Sequence, residues 1–394
     1  MTSLAVRERI RGIDTVRGLI MIIMTLDHSR DFLHFQGPQY APTNMATTTV
    51  ILFFTRWITH FCAPTFVLLS GVSAWLAGRK RTKAELTGFL LKRGIWLILT
   101  DLLLISLLFT FDPKYHVFVL EVLWAIGCGM ILLGLLIRLQ APTVLIGMIG
   151  CALVFGHNLL DYMNVPGKGL TGNLFTLLLT GRGAIVPVGG DRIIALLYAA
   201  LPWSGVLLTG YMIGSLYATG FPADRRKRLL LIIGSGLVIL FVLLRWINGY
   251  GDPAPWSAQR NMAHSLLSFL NATKQPPSLV FLSMTLGPVL ILLALIEKRA
   301  TRFTTFCAVY GNVPYFYFLV HLLLLRTLNV LLIIVSGVPM KSDGSPLVWQ
   351  ALGFGYPLWM IYRYWAFVVL ALYLPCRWYG HYKRAQRHWW LSYV

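Results

Sequence analysis

Residues 11–35 read RGIDTVRGLIMIIMTLDHSRDFLHF, an apolar run from 18 to 26 framed by Asp14 and Arg17 before it and by Asp27, His28, Arg30, Asp31 and His34 after it. The run is written for lipid, where ionisable groups are expensive and therefore mark function by default. Taken as one helix, the stretch repeats Asp14, Arg17, Met21, His28 and Asp31 at spacings of three, four and seven, which stacks them on a single face. Arg17 and His28 are eleven positions apart, about 16 Å along the axis and roughly half of a hydrocarbon core about 30 Å thick. An arginine at one interface thus shares a stripe with a histidine near the midplane.

The rest of the chain continues in the same style. Of its 394 residues, 57% are hydrophobic and only 12% are charged. With repeated apolar runs longer than a soluble core helix needs, this predicts an all-α, polytopic integral membrane protein forming a single transmembrane domain, 1–394. The formal charge of +20 does not point to nucleic acid, because no soluble domain gathers basic and aromatic residues on one face. Lysine and arginine concentrate instead in alternate short loops, at 7–11, 79–83, 225–228, 298–302 and 383–387. The positive-inside rule places these loops, and with them both termini, in the cytoplasm. The five cysteines lie in or beside apolar runs without metal-ligand spacing, so buried thiols are expected and no metal site is. The first apolar segment lacks a small-residue cleavage site and reads as a retained helix. A multi-pass protein of a bacterial inner membrane is the expected setting.

The pattern gives about ten transmembrane helices, at 18–35, 50–77, 94–111, 117–139, 143–160, 193–218, 229–247, 279–296, 312–335 and 356–379. The second holds Arg56 and His60 one turn apart, then Pro64, whose missing donor predicts a kink. Asp101 and Glu121 lie in the third and fourth, and need partners at membrane depth, with Arg56 the expected one. The segment 161–192 is too apolar for an ordinary loop and reads as re-entrant or surface-lying. Pro202, Trp203 and Ser204 predict a break in the sixth span and a cavity near Trp203. A short interfacial helix is expected at 302–310, and His321 lies one turn from Tyr317 in the ninth span.

These segments resemble the transmembrane acyltransferases related to the lysosomal heparan-alpha-glucosaminide N-acetyltransferase. The resemblance rests on RIRGIDTVRGLIMIIMTLDHSRDFLHF, FFTRWITHFCAPTFVLLSGVSAWL, EVLWAIGCGMILLGLL, LLYAALPWSGVLLTGYMIGSLY and YGNVPYFYFLVHLLLL, which follow in order over most of the chain. The sequence is also similar to the wider acyltransferase-3 group, in which an arginine at the start of helix one is followed eleven positions later by the essential histidine. The resemblance implies transfer of an acetyl group from cytosolic acetyl-CoA to an extracytoplasmic acceptor, a glycan or amino sugar, across the membrane. It implies Arg17 as a contact for the donor phosphates and His28 as the catalytic histidine. The lysosomal member is expected to carry asparagine where His28 falls and its histidine further along, so His34 is a rival base. His60 stands where that member has an aspartate. The long lumenal N-terminal portion of the lysosomal member is expected to have no counterpart, so heparan sulfate is not carried over as the acceptor.

Acyl transfer from a thioester needs a base, donors for the developing oxyanion and exclusion of water. His28 can serve as the base, with Asp31 one turn on, or Asp27, to fix its tautomer; Asp27 points about 100° away on an ideal helix. Arg17, Arg79, Lys80 and Arg93 on the basic side can meet the donor phosphates. Arg56, His60, Glu121, Trp203 and His321 are the candidate acceptor contacts, Trp203 as a stacking surface for a sugar. Two competing readings stand beside this one. The ionisable residues can form interhelical clamps without chemistry, or line the pathway of a secondary transporter or proton-coupled permease. Membrane lipid is an obligatory neighbour, and a homodimer is left open.

Overall fold

The computed structural model describes residues 10–35, 40–163, 169–180, 185–297, 299–338, 351, 353–386, 388 and 391. Its centre is helix α1 (Arg11–Leu33), with Asp14 in the first turn and Arg30 in the last, each charge opposing the local end of the helix dipole. The helix stops at His34, whose extended backbone bridges to Tyr356. α1 is buried on nearly every side, the signature of a helix enclosed by others rather than an amphipathic surface helix. Among the described residues seven helices are long and apolar enough to cross a membrane. Of the other three expected segments, the first holds α1, which has the length but carries more charge, and the fourth and sixth hold the shorter helices α6 and α9 below.

The second span is α2 (Val50–Trp57), a tight 3₁₀ turn (Ile58–Phe61) and α3 (Cys62–Gly78). The tight turn falls immediately before Pro64, which cannot donate to the carbonyl of His60. Helix α4 (Lys83–Leu99) starts on a Thr82/Glu85 capping box. It passes through a wide π turn (Thr100–Ile105) into α5 (Ser106–Thr110), which ends where Phe111 adopts φ 50°. The π turn aims Asp101 at the start of α6 (Val122–Arg138), where its carboxylate accepts the backbone N–H groups of Glu121 and Trp124 at 2.8 and 2.7 Å. Asp101 therefore caps a helix and does not pair with Arg56 as expected.

Two expected spans begin as strands. β1 (Val117–Leu120) and β3 (Arg192–Leu196) pair in parallel, Val117 opposite Ile193 and Leu120 opposite Leu196. β2 (Ile185–Gly189) adds antiparallel to β3, giving the order β1-β3-β2. These runs are apolar and β-branched, and pairing satisfies their backbone groups as a helix would. Between them lie α7 (Thr143–Gly156) and α8 (Leu170–Phe175), so the described part of 161–192 is a short helix and a hairpin. The break expected in the sixth span falls at 197–199, between β3 and the next helix, just before Pro202 rather than at it. Helix α9 (Ala200–Gly214) is continuous, and Pro202 occupies its first turn, where a missing N–H leaves no intrahelical bond unmade.

The remaining helices are α10 (Ala223–Ile247), α11 (Met262–Leu270), α12 (Leu279–Ile296), α13 (Arg302–Gly311), α14 (Pro314–Ser336) and α15 (Leu358–Ala385). The expected interfacial helix, α13, packs directly on α1: a Cβ at Gly18 would lie 1.7 Å from the Cys307 carbonyl oxygen, and one at Gly311 would lie 1.8 Å from that of Asp14. This backbone contact sets the height at which α14 starts. α14 then runs beside α1 in step, Tyr317 hydroxyl to Thr25 at 2.6 Å, His321 to His28, and Asn329 to the Phe32 carbonyl at 2.6 Å. All five cysteines are free thiols.

Candidate functional site

The step-wise packing of α1 and α14 brings the imidazoles of His28 and His321 together. Their Nδ1 and Nε2 atoms are 2.7 Å apart, and the rings lie nearly parallel with centroids 5.0 Å apart. Tyr317 stacks on His321 at 5.3 Å, and Phe109 meets His28 edge-on at 5.6 Å. The surrounding acceptors fix the protons. His321 Nδ1 is 2.9 Å from the carbonyl oxygen of Tyr317, which can only accept, so this nitrogen carries hydrogen. In a neutral His321 the Nε2 atom is then a lone pair, and His28 must donate to it from Nδ1. The second lone pair of the chain therefore falls on His28 Nε2, which has no hydrogen-bond partner among the described residues. A carbonyl on α14 thus presets His28 to receive a proton at Nε2. Asp31, expected to orient His28, instead pairs with Arg30 and is 46% exposed along its side chain.

Next to this pair, Asp27 is held by cations. Both its oxygens lie within 2.7 Å of Arg56 Nη1, Arg30 is at 2.7 Å, and the Thr59 hydroxyl donates at 2.8 Å. The tight turn before Pro64 is what faces Arg56, Thr59 and His60 inward together. The partner of Arg56 is therefore Asp27 and not Asp101 or Glu121. A carboxylate so committed is an anchor rather than a base. His34 lies past the end of α1, beside Tyr40, with Nδ1 3.2 Å from the Phe35 carbonyl oxygen.

On the far side of Asp27 the interior is lined by His60, packed on the Phe281 ring, by Glu121 at the N-terminus of α6, and by Tyr198 and Trp203 with ring centroids 5.2 Å apart. His60 Nδ1, Trp203 Nε1 and Arg30 Nη1 are buried without a hydrogen-bond partner. Buried polar atoms are ordinarily satisfied, so each of these is a donor or acceptor still open to a further partner. Lys274, half-buried and passed over in the sequence reading, stands beside Tyr198. Its ammonium lies 5.7 Å from the Tyr198 ring centre, and its charge acts on Asp27, His28, Arg56, His60 and Glu121. Burial, and then Arg56, depress its proton affinity, while Asp27 and Glu121 oppose them. One signal for it was present: a lysine in 271–278, on the side where the positive-inside rule disfavours cations.

The four donor-side candidates are distributed differently. Arg17 reaches Asp14 at 3.1 Å, the Ser73 hydroxyl at 2.9 Å and the Gly311 carbonyl at 3.3 Å, tying α1, α3 and α13 together. Arg79 hydrogen-bonds the Thr219 hydroxyl, Lys80 is exposed and Arg93 is half-buried. Among the described residues no group of three or more His, Cys, Asp or Glu side chains is placed to hold a metal.

The architecture is that of an all-α polytopic membrane protein whose central helix carries ionisable groups bonded to neighbouring segments. Residues 9–244 match the family described as heparan-alpha-glucosaminide N-acetyltransferase, catalytic, and the chain belongs to that family of membrane acyltransferases. No curated protein compared with the chain matches it. The match includes α1, the Asp27–Arg56 pair, Glu121 and Trp203, whereas Lys274 and His321 lie beyond it.

Proposed function

We propose that the protein moves an acetyl group from cytosolic acetyl-CoA to an amine or hydroxyl of an extracytoplasmic sugar, with His28 as the base. The observation that supports this reading is the Nε2 of His28, left as a proton acceptor by the bond that its Nδ1 makes to His321. In the forward step His28 Nε2 takes the acceptor proton while the acceptor nitrogen or oxygen bonds to the thioester carbon. The carbonyl becomes an oxyanion, for which Arg30 Nη1 and Trp203 Nε1 are the available donors. The carbon–sulfur bond then breaks, and His28 returns its proton to the departing thiolate. His321 orients the ring, as a carboxylate does in a hydrolase triad. The basic cytoplasmic side, with Arg17, Arg79, Lys80 and Arg93, suits the donor phosphates.

The transporter reading rests on the same buried ionisable residues, and the continuous α9 adds no broken helix in its favour. The test is purified protein in proteoliposomes with radiolabelled acetyl-CoA outside and glucosamine inside, the enclosed amine being assayed for label. Labelled acetyl-glucosamine is expected from wild type and not from His28→Ala. Transfer undiminished in His28→Ala, with loss in His34→Ala, would move the base to His34.

A further inference from the structure

Beside the small sheet lies a cavity of about 560 Å³, lined in part by Lys114, Tyr115, His116, Phe118, Asp191 and Arg192. Its relation to the buried core follows from strand topology. β1 and β3 run parallel, and Ile193 N–H donates to the His116 carbonyl at one end while Leu197 N–H donates to that of Leu120 at the other. The cavity residues 115–118 and 191–192 therefore stand at the entry ends of both strands. Glu121, Tyr198 and Trp203, which line the core, follow their exit ends. Four paired residues separate the two places, about 13 Å at the rise of a strand.

The cavity has its own chemistry. The His116 ring sits between two carboxylates, Asp112 at 2.5 Å and Asp191 at 3.2 Å. Tyr115 and Phe118 stack with centroids 5.7 Å apart. Tyr115 is held at φ 55°, a conformation that a bulky aromatic residue rarely adopts and that the surrounding structure must enforce. Among the described residues neither the Lys114 ammonium nor the Arg192 guanidinium pairs with a carboxylate. Aromatic rings for the apolar face of a pyranose, with acceptors and donors around them for its hydroxyls, are the mixture that recognises carbohydrate rather than an acyl chain.

We propose that this cavity is a remote sugar subsite, holding an acceptor chain by a unit distant from its acetylated end while that end reaches the core along β1 and β3. The inference rests on the acetyl-transfer reading for its consequence but not for binding itself. The test uses full-length protein with glucosamine and a glucosamine tetrasaccharide as probes. Tyr115→Gly, which suits the backbone, and Asp191→Asn, on a side chain 73% exposed, guard against loss by misfolding. In both variants the ratio of kcat/KM for tetrasaccharide over monosaccharide is expected to fall about tenfold, through KM, the size of one lost sugar contact. An unchanged ratio would overturn the subsite. Calorimetric titration of the tetrasaccharide into His28→Ala separates the two readings. Binding that weakens about tenfold with either cavity substitution upholds the subsite even if wild type acetylates neither probe. No binding to His28→Ala, or binding indifferent to both substitutions, overturns it.

Discussion

His28 and His321 are separated by 293 positions in the chain and by 2.7 Å between ring nitrogens. The pairing places a neutral acceptor, not a carboxylate, behind the proposed base, so the ring is oriented without being held as a cation. The charged groups that act on His28 are Asp27, Asp31, Lys274 and Arg30. His28→Ala is expected to lower kcat by about 10² to 10⁴. His321→Ala removes only the orienting bond, worth about ten- to a hundredfold. His321→Gln, whose amide can both accept from His28 and donate to the Tyr317 carbonyl, should recover part of that loss. Single-turnover rates for the three variants check the order; equal rates for His321→Ala and wild type would end the tautomer argument.

The pair Asp27–Arg56 makes a prediction about stability. With little exposure on either side chain, removing one partner strands the other charge, at a cost of about 3–5 kcal/mol. Arg56→Met is therefore expected to lower Tm in detergent markedly, and Asp27→Asn combined with it to recover most of the loss, the mark of a coupled pair. If the two effects simply add, Arg30 and Thr59 are sufficient partners for Asp27 and the clamp is not one.

Much of this site was legible because lipid makes ionisable residues conspicuous. His28, Arg56, His60, Glu121, Trp203 and His321 stand out against apolar runs, and of these the structure joins His28 to His321 and Arg56 to Asp27. Their partners were not legible. Which face Arg56 presents depends on a 3₁₀ turn that Pro64 announces but does not orient, and Asp101 finds backbone N–H groups that no side-chain pattern displays. The strands escaped because four or five apolar residues at the start of a longer apolar run carry too few positions to separate a period of two from 3.6. Lys274 escaped because it is reached through a proline-rich loop rather than from a helix face.

Lys274 is expected to hold the acceptor or the developing negative charge. Its ammonium has Arg56 as the nearest opposing influence after burial, and Asp27 and Glu121 as supporting ones. Because burial and Arg56 together lower its proton affinity, it loses its charge at lower pH than an exposed lysine. Activity that needs the charge should therefore fall on the alkaline side earlier than an ordinary lysine would cause. Lys274→Gln is expected to reduce kcat/KM about 10- to 100-fold, the scale of one charged hydrogen bond, and Lys274→Arg to extend activity to higher pH. A pH–rate profile unchanged in Lys274→Arg would remove the residue from the site.

Asp112 gives the outer loop a dependence on acid. Its side chain is 5% exposed, and burial by itself would resist ionisation. The N–H groups of His116 and Lys114 and the His116 ring outweigh burial, so the carboxyl lies below its ordinary value. A carboxylate with a depressed folded-state value adds stability that is complete above the unfolded value near 3.9 and disappears as pH falls through the folded one. Tm of wild type should therefore exceed that of Asp112→Asn by a constant margin down to about pH 5, and the margin should close below about pH 4. The same loop positions Tyr115 and His116, so on this reasoning tetrasaccharide binding to the outer cavity weakens over the same acid range while monosaccharide binding at the core does not follow it. A margin that persists unchanged to about pH 3 would mean that Asp112 acts through packing rather than charge.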